Sequence, residues 1–106
     1  MATQPALSIG GTLGVTVSTV STAILTTNPL MKKLTFHNPG TVTIYVCQSL
    51  DINGGALVAG AGQPGNFEIF PGGLLIFEGD GAAGSWLAAA ASGASNPFTI
   101  GMSETL

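Results

Sequence analysis

Few residues in this chain could carry out chemistry, and the sequence does not bring them together. His37 is the only histidine and Cys47 is the only cysteine. Catalysis by a cysteine needs a neighbouring base and a third group that orients that base. In an alignment of residues 33–38 with residues 42–48 as two strands, Cys47 lies opposite Lys33 and His37 lies near a turn. We therefore expect that the protein is not an enzyme.

The acidic residues and the glycine pairs predict no metal or cofactor site. Glu78 and Asp80 lie in a glycine-rich segment that is typical of a solvated turn, and calcium would need further oxygen ligands there. One cysteine and one histidine fall short of the three or four ligands that zinc requires. The glycine pairs that begin at Gly10 and Gly54 lack the lysine and the helix that follow a phosphate-binding loop. We expect no cofactor and no metal.

Low charge is the most unusual property of the chain. Of its 106 residues, 7% are charged and 45% are hydrophobic, whereas soluble domains carry about 25% charged residues. The two basic residues are Lys32 and Lys33. Because binding to phosphates needs clustered Lys and Arg, nucleic acid is excluded as a partner. No uncharged run is apolar enough to cross a membrane, so no membrane partner is expected.

A surface this poor in charge is typical of a protein that other proteins cover. The composition therefore favours an assembly component that associates with itself or with another protein. The alternative is a soluble domain that tolerates low charge.

Turn residues divide the chain into eight short β-rich runs. The predicted strands span residues 13–17, 22–27, 33–38, 42–48, 67–70, 74–77, 86–91 and 98–102. Eight short strands predict an all-β fold, a small antiparallel sandwich or jelly roll, with a closed β-barrel as the alternative. We expect one domain over residues 12–106, preceded by an N-terminal arm, residues 1–11, that becomes ordered on a partner.

Two neighbouring runs predict a hairpin with a definite register. The turn at Pro39 separates residues 33–38 from residues 42–48. A three-residue loop places Phe36 opposite Ile44, and both side chains then face inward. His37 and Cys47 then point away from the core.

Trp86 is predicted to be a core residue. It begins an alanine-rich run that glycines flank, which leaves too few residues for a stable helix. In a strand, Ala88 and Ala90 share the face of Trp86 and leave room for its ring.

Apolar side chains outside the strands are the candidates for partner contacts. They lie in the N-terminal arm and in a long glycine-rich loop, residues 49–66. Loops of this length are often functional, so the apolar loop residues either dock on a partner or fold back over one end of the core. The candidate partner-binding residues are Leu7, Ile9, Leu50, Ile52, Leu57 and Val58.

Four segments occur in an order that resembles a known group of proteins. Residues 28–38 contain an Asn, a Lys pair, a β-run and a second Asn, and a Gly turn and a Val-Thr-Ile-Tyr-Val strand follow. Residues 67–77 hold a Pro-Gly turn between strands, residues 84–90 hold a Gly-x-Trp strand, and residues 103–105 are similar to a terminal strand that contains Glu. Together they resemble small β-sandwich proteins of tailed-phage virions, in particular head decoration, or cement, proteins and related fibre modules.

The resemblance implies a cement protein, made in the host cytoplasm, that binds the major capsid protein on the capsid exterior. It also implies a homo-oligomer, with a trimer as the first choice. The alternative is a receptor- or glycan-binding module of a fibre or spike. Such a module needs exposed aromatic rings, for which Tyr45 and Trp86 are the candidates.

Overall fold

The computed structural model describes residues 10–104, and β-strands make up almost all of their regular structure. A single helical turn, α1 (Asp80–Ala83), lies between the sixth and seventh strands. Each predicted run overlaps one observed strand. The strands are β1 (Gly10–Val17), β2 (Thr22–Leu25), β3 (Lys33–His37), β4 (Ile44–Gln48), β5 (Phe67–Ile69), β6 (Leu74–Glu78), β7 (Trp86–Ala90) and β8 (Asn96–Ser103).

The eight strands form a sandwich of two four-stranded antiparallel sheets. Sheet A has the order β1-β8-β3-β6, and sheet B has the order β2-β7-β4-β5. Pairing of β1 with β8, β2 with β7, β3 with β6 and β4 with β5 makes one long ribbon folded on itself, the arrangement of a jelly roll. The sandwich prediction is confirmed. No strand within residues 10–104 belongs to both sheets, so the closed barrel is wrong.

The predicted hairpin between β3 and β4 is wrong. Phe36 of β3 lies opposite Leu75 and Ile100 in sheet A, whereas Ile44 belongs to sheet B. Both Phe36 and Ile44 are nevertheless fully buried, as predicted. Alternation decides which face a side chain occupies, but it does not decide which strand lies alongside. The turn at Pro39 crosses from one sheet to the other instead of joining neighbours in one sheet.

The core between the sheets is centred on aromatic rings. The Phe36 ring stacks on Phe98 at a centroid distance of 5.7 Å and meets Trp86 edge-on at 5.1 Å. Trp86 is 1% exposed, which confirms its predicted place in the core. Ala88 and Ala90 on the same face of β7 are buried in the same cluster. These small side chains leave the space that the indole fills.

Two buried asparagines hold the connections between the sheets. Asn38, just after β3, donates from Nδ2 to the carbonyl oxygens of Val42 and Ile69, each at 2.8 Å. Asn96 donates from Nδ2 to the carbonyl oxygen of Val17 at 3.0 Å. Such bonds satisfy backbone groups that the sheet ladders leave unpaired where the chain changes sheet. They fix the ends of the sandwich.

β1 begins at Gly10, two residues before the predicted start of the domain. Gly10 and Gly11, which the sequence places in the arm, lie opposite Ser103 and Met102 of β8.

Candidate interaction surface

The two residues best suited to chemistry lie in different sheets. His37 is half-buried on β3 in sheet A, and Cys47 is fully buried on β4 in sheet B. Cys47 lies opposite Leu87, so its predicted position opposite Lys33 is wrong. Burial raises the pKa of the Cys47 thiol, which keeps it in the protonated, unreactive form. Within residues 10–104, no three His, Cys, Asp or Glu side chains are grouped where a metal ion could bind.

Part of the long loop covers the outer face of sheet B. Leu57 and the buried Ala59 pack against Cys47 and Ala89, and together with Leu87 they form a second, smaller cluster. The backbone N–H of Ala59 donates to the Ser21 hydroxyl oxygen at 2.9 Å, which anchors the loop beside β2. The loop therefore folds back over the face of a sheet and not over an end of the core. Leu57 contacts the protein's own sheet.

The tip of the same loop points into solvent in a defined conformation. Leu50 and Ala56 form an isolated β-bridge, and the Asp51 carboxylate accepts hydrogen bonds from the N–H groups of Asn53 and Gly55, each at 2.8 Å. Ile52, at the centre of this tip, is 99% exposed. A carboxylate that bonds the next backbone N–H groups is a common way to stabilise a tight turn. The loop thus presents Ile52 on an ordered support.

The returning half of the loop is also held by a side chain. Asn66 donates from Nδ2 to the Val58 carbonyl oxygen at 2.9 Å and accepts from the Gly60 N–H at 3.0 Å. Val58 itself is about half exposed, as is Leu50. Three of the four loop candidates, Leu50, Ile52 and Val58, therefore form an exposed apolar set, here called the loop surface. The arm candidates, Leu7 and Ile9, lie outside the described residues.

A second exposed apolar set lies around the turn between β5 and β6, and the sequence analysis did not identify it. The turn is closed by a 2.7 Å hydrogen bond from the Gly73 N–H to the Phe70 carbonyl oxygen, and Gly72 has a φ of 79°. A positive φ at the third position of a turn selects glycine. Phe70 and, beyond the turn, Leu74 and Ile76 are exposed. The available signal was an apolar strand, β6, with no polar alternation.

Comparisons with protein-family models, with curated proteins and with solved structures find no match to this chain. Among residues 10–104, no helix has the length and apolar character needed to cross a membrane. The candidate surface itself is apolar, poor in charge and held in place by hydrogen bonds.

Proposed function

We propose that this protein is a structural component of a virion, a decoration or cement protein that binds the major capsid protein on the outer surface of the head. The observation that carries the proposal is the loop surface, above all the fully exposed Ile52. Covering an apolar side chain favours association. Because Asp51 holds the tip in place, binding loses less conformational freedom than binding by an unstructured loop.

The charge of the chain supports a position on the outside of a capsid. The formal net charge is −3 at pH 7, and the sequence contains no arginine. A surface facing packaged nucleic acid is normally basic, because phosphates attract Lys and Arg. The jelly-roll arrangement adds support by analogy, because it recurs in viral capsid domains and in lectins.

The two aromatic residues that the sequence suggested for a glycan site do not support the glycan-binding module. Trp86 lies in the core, and its indole N–H is already bonded to the Gly81 carbonyl oxygen. Tyr45 is half-buried on the outer face of β4. Sugar rings normally stack on exposed aromatic faces, and the rings that are exposed within residues 10–104 are those of Phe67 and Phe70.

Copy number and location in purified virions test the proposed function. Quantitative mass spectrometry of virions from the phage that encodes the chain should find it in numbers comparable to the major capsid protein. An amine reagent that does not enter the capsid should label Lys32, which is exposed. A few copies per virion, or labelling only after the capsid is opened, contradicts the proposal.

A further inference from the structure

The four edges of the two sheets differ in how well they resist pairing with another chain. Proteins protect edge strands by keeping them short, by irregular pairing, or with charges and proline. β5 has three residues, and β2 has four with a register shift between Ala23 and Leu25. By contrast, β6 has five residues with the sequence Leu-Leu-Ile-Phe-Glu. The one charge of β6, Glu78, lies at the end of the strand, so its apolar stretch is less protected than β2 or β5.

The register of β6 shows which of its backbone groups are free to pair. The Gly73 carbonyl oxygen accepts from the Asn38 N–H at 3.1 Å, and the Gly79 N–H donates to the Lys32 carbonyl oxygen at 2.9 Å, both toward β3. Backbone groups of successive residues in an antiparallel strand point to opposite sides. The backbone groups of the even-numbered residues between Gly73 and Gly79 therefore point to the open side of the sheet. These residues are Leu74, Ile76 and Glu78.

The side chains of the same edge are apolar and exposed. Leu74 is 58% exposed and Ile76 is 49% exposed, and they lie two residues apart on the outer face of β6. Within residues 10–104, no backbone hydrogen bond from another segment reaches either residue on the open side of the strand. An added strand with two apolar residues at the same spacing could cover both side chains while it pairs with the backbone.

The sequence just before β1 has that spacing. Leu7 and Ile9 are two residues apart, and no charged side chain occurs before Lys32. We propose that the segment around Leu7 and Ile9 of one copy adds as an antiparallel strand to the β6 edge of a second copy. Ile9 then lies beside Leu74, and Leu7 lies beside Ile76.

The geometry of sheet A requires the segment to come from another copy. Gly10 pairs with Ser103, which in turn lies opposite Lys33. Because Lys33 pairs with Glu78, Gly10 lies level with Glu78 across the sheet. Three strand spacings separate β1 from β6, about 14 Å. Ile9 is one residue from Gly10, a Cα separation of about 3.8 Å. Ile9 therefore cannot reach β6 of its own chain.

The pairing joins different surfaces of the two copies, so two copies can exchange arms reciprocally, or successive copies can pair head-to-tail. Such contacts close into a ring when the rotation between copies allows it, and a trimer is one such ring. This inference goes beyond the proposed function and rests on the homo-oligomer that the resemblance implies. It supplies the contact that would hold the copies together.

Light scattering at matched protein concentrations tests the inference on four proteins: the full chain, a variant lacking residues 2–9, Ile76→Lys and Val20→Lys. A lysine at position 76 places a charge on the free edge, and Val20 is an exposed residue near β2 that serves as the matched control. The full chain and Val20→Lys should be oligomeric, and the other two should be monomeric. An oligomer that survives the deletion overturns the inference, as does a monomeric full chain.

A peptide of residues 2–10 added to the deletion variant provides the second test. Hydrogen exchange should slow at the amides of Leu74 and Ile76, and the peptide should have no such effect on Ile76→Lys. Protection confined to β1, or no protection at all, overturns the inference. Capsid binding by Ile76→Lys is measured separately. A monomeric Ile76→Lys variant can still bind capsids through the loop surface, so loss of the oligomer and loss of capsid binding are distinguished.

Discussion

The indole N–H of Trp86 donates a hydrogen bond to the carbonyl oxygen of Gly81, 3.2 Å away. The same oxygen accepts a bond from Gln48 Nε2 at 3.3 Å. Gly81 belongs to α1, which connects sheet A to sheet B. The buried ring is therefore both a packing element and a tie between the helical turn and the core.

Trp86→Ala should lower the free energy of unfolding by about 3–5 kcal/mol, because it removes a large buried ring and leaves a cavity. Trp86→Phe should cost less, since it keeps most of the ring and loses the bond to Gly81. Chemical denaturation measures both losses. Native fluorescence of this single tryptophan should be blue-shifted until the protein unfolds. Emission typical of exposed indole, or an alanine variant as stable as the parent, contradicts the core assignment.

Asn38→Ala should also destabilise the protein, although little volume is lost. The carbonyl oxygens of Val42 and Ile69 would each lose a buried donor, at about 1–3 kcal/mol for a group left unpaired. Asn53→Ala is the matched control, because Asn53 is exposed and uses its backbone N–H in the loop. Equal denaturation midpoints for the two variants would show that the Asn38 side chain does not hold the sheets together.

Turn residues and β-rich runs were enough to predict the strands, and alternation predicted that Phe36 and Ile44 face inward. Phe36 and Ile44 are both buried because each faces the core from its own strand. The choice of neighbouring strand was not predictable in the same way, because it depends on where the turn at Pro39 leads in three dimensions. The same types of turn residue occur in a local hairpin and in a connection that crosses between two sheets.

The long loop, residues 49–66, was also predictable only in part. Its length and glycine content predicted an irregular segment, and its apolar residues were identified. The sequence could not tell that Leu57 packs on Cys47 while Ile52 stays in water. That separation depends on anchors such as Ser21, which is 38 residues away from its partner Ala59.

Cys47 should resist thiol reagents in the native protein and react fully on unfolding. The loop covers its side chain, and burial raises its pKa. A raised pKa in the folded state means that the unfolded thiol ionises first as pH increases, so alkaline pH lowers the free energy of unfolding. Labelling with a chromogenic disulfide, with and without denaturant, measures the reactivity. Rapid stoichiometric labelling without denaturant would show that the loop does not cover the thiol.

Asp51→Ala should loosen the loop tip without destabilising the sandwich. Its carboxylate accepts two backbone hydrogen bonds in an exposed loop, and the core residues do not contact it. Hydrogen exchange at the amides of Asn53 and Gly55 should become faster, while the denaturation midpoint stays close to that of the parent. Unchanged exchange at both amides means that the carboxylate does not order the tip.

The most direct measurement is co-sedimentation of the purified protein with capsids assembled without it. The full chain should bind saturably to the capsid exterior, and Ile52→Asp should bind far more weakly while unfolding at the same denaturant concentration. Val20→Asp, at an exposed apolar position outside the loop, should bind like the parent. If the full chain fails to bind, or if Ile52→Asp binds as tightly as the parent, the protein does not work as a cement protein through this loop.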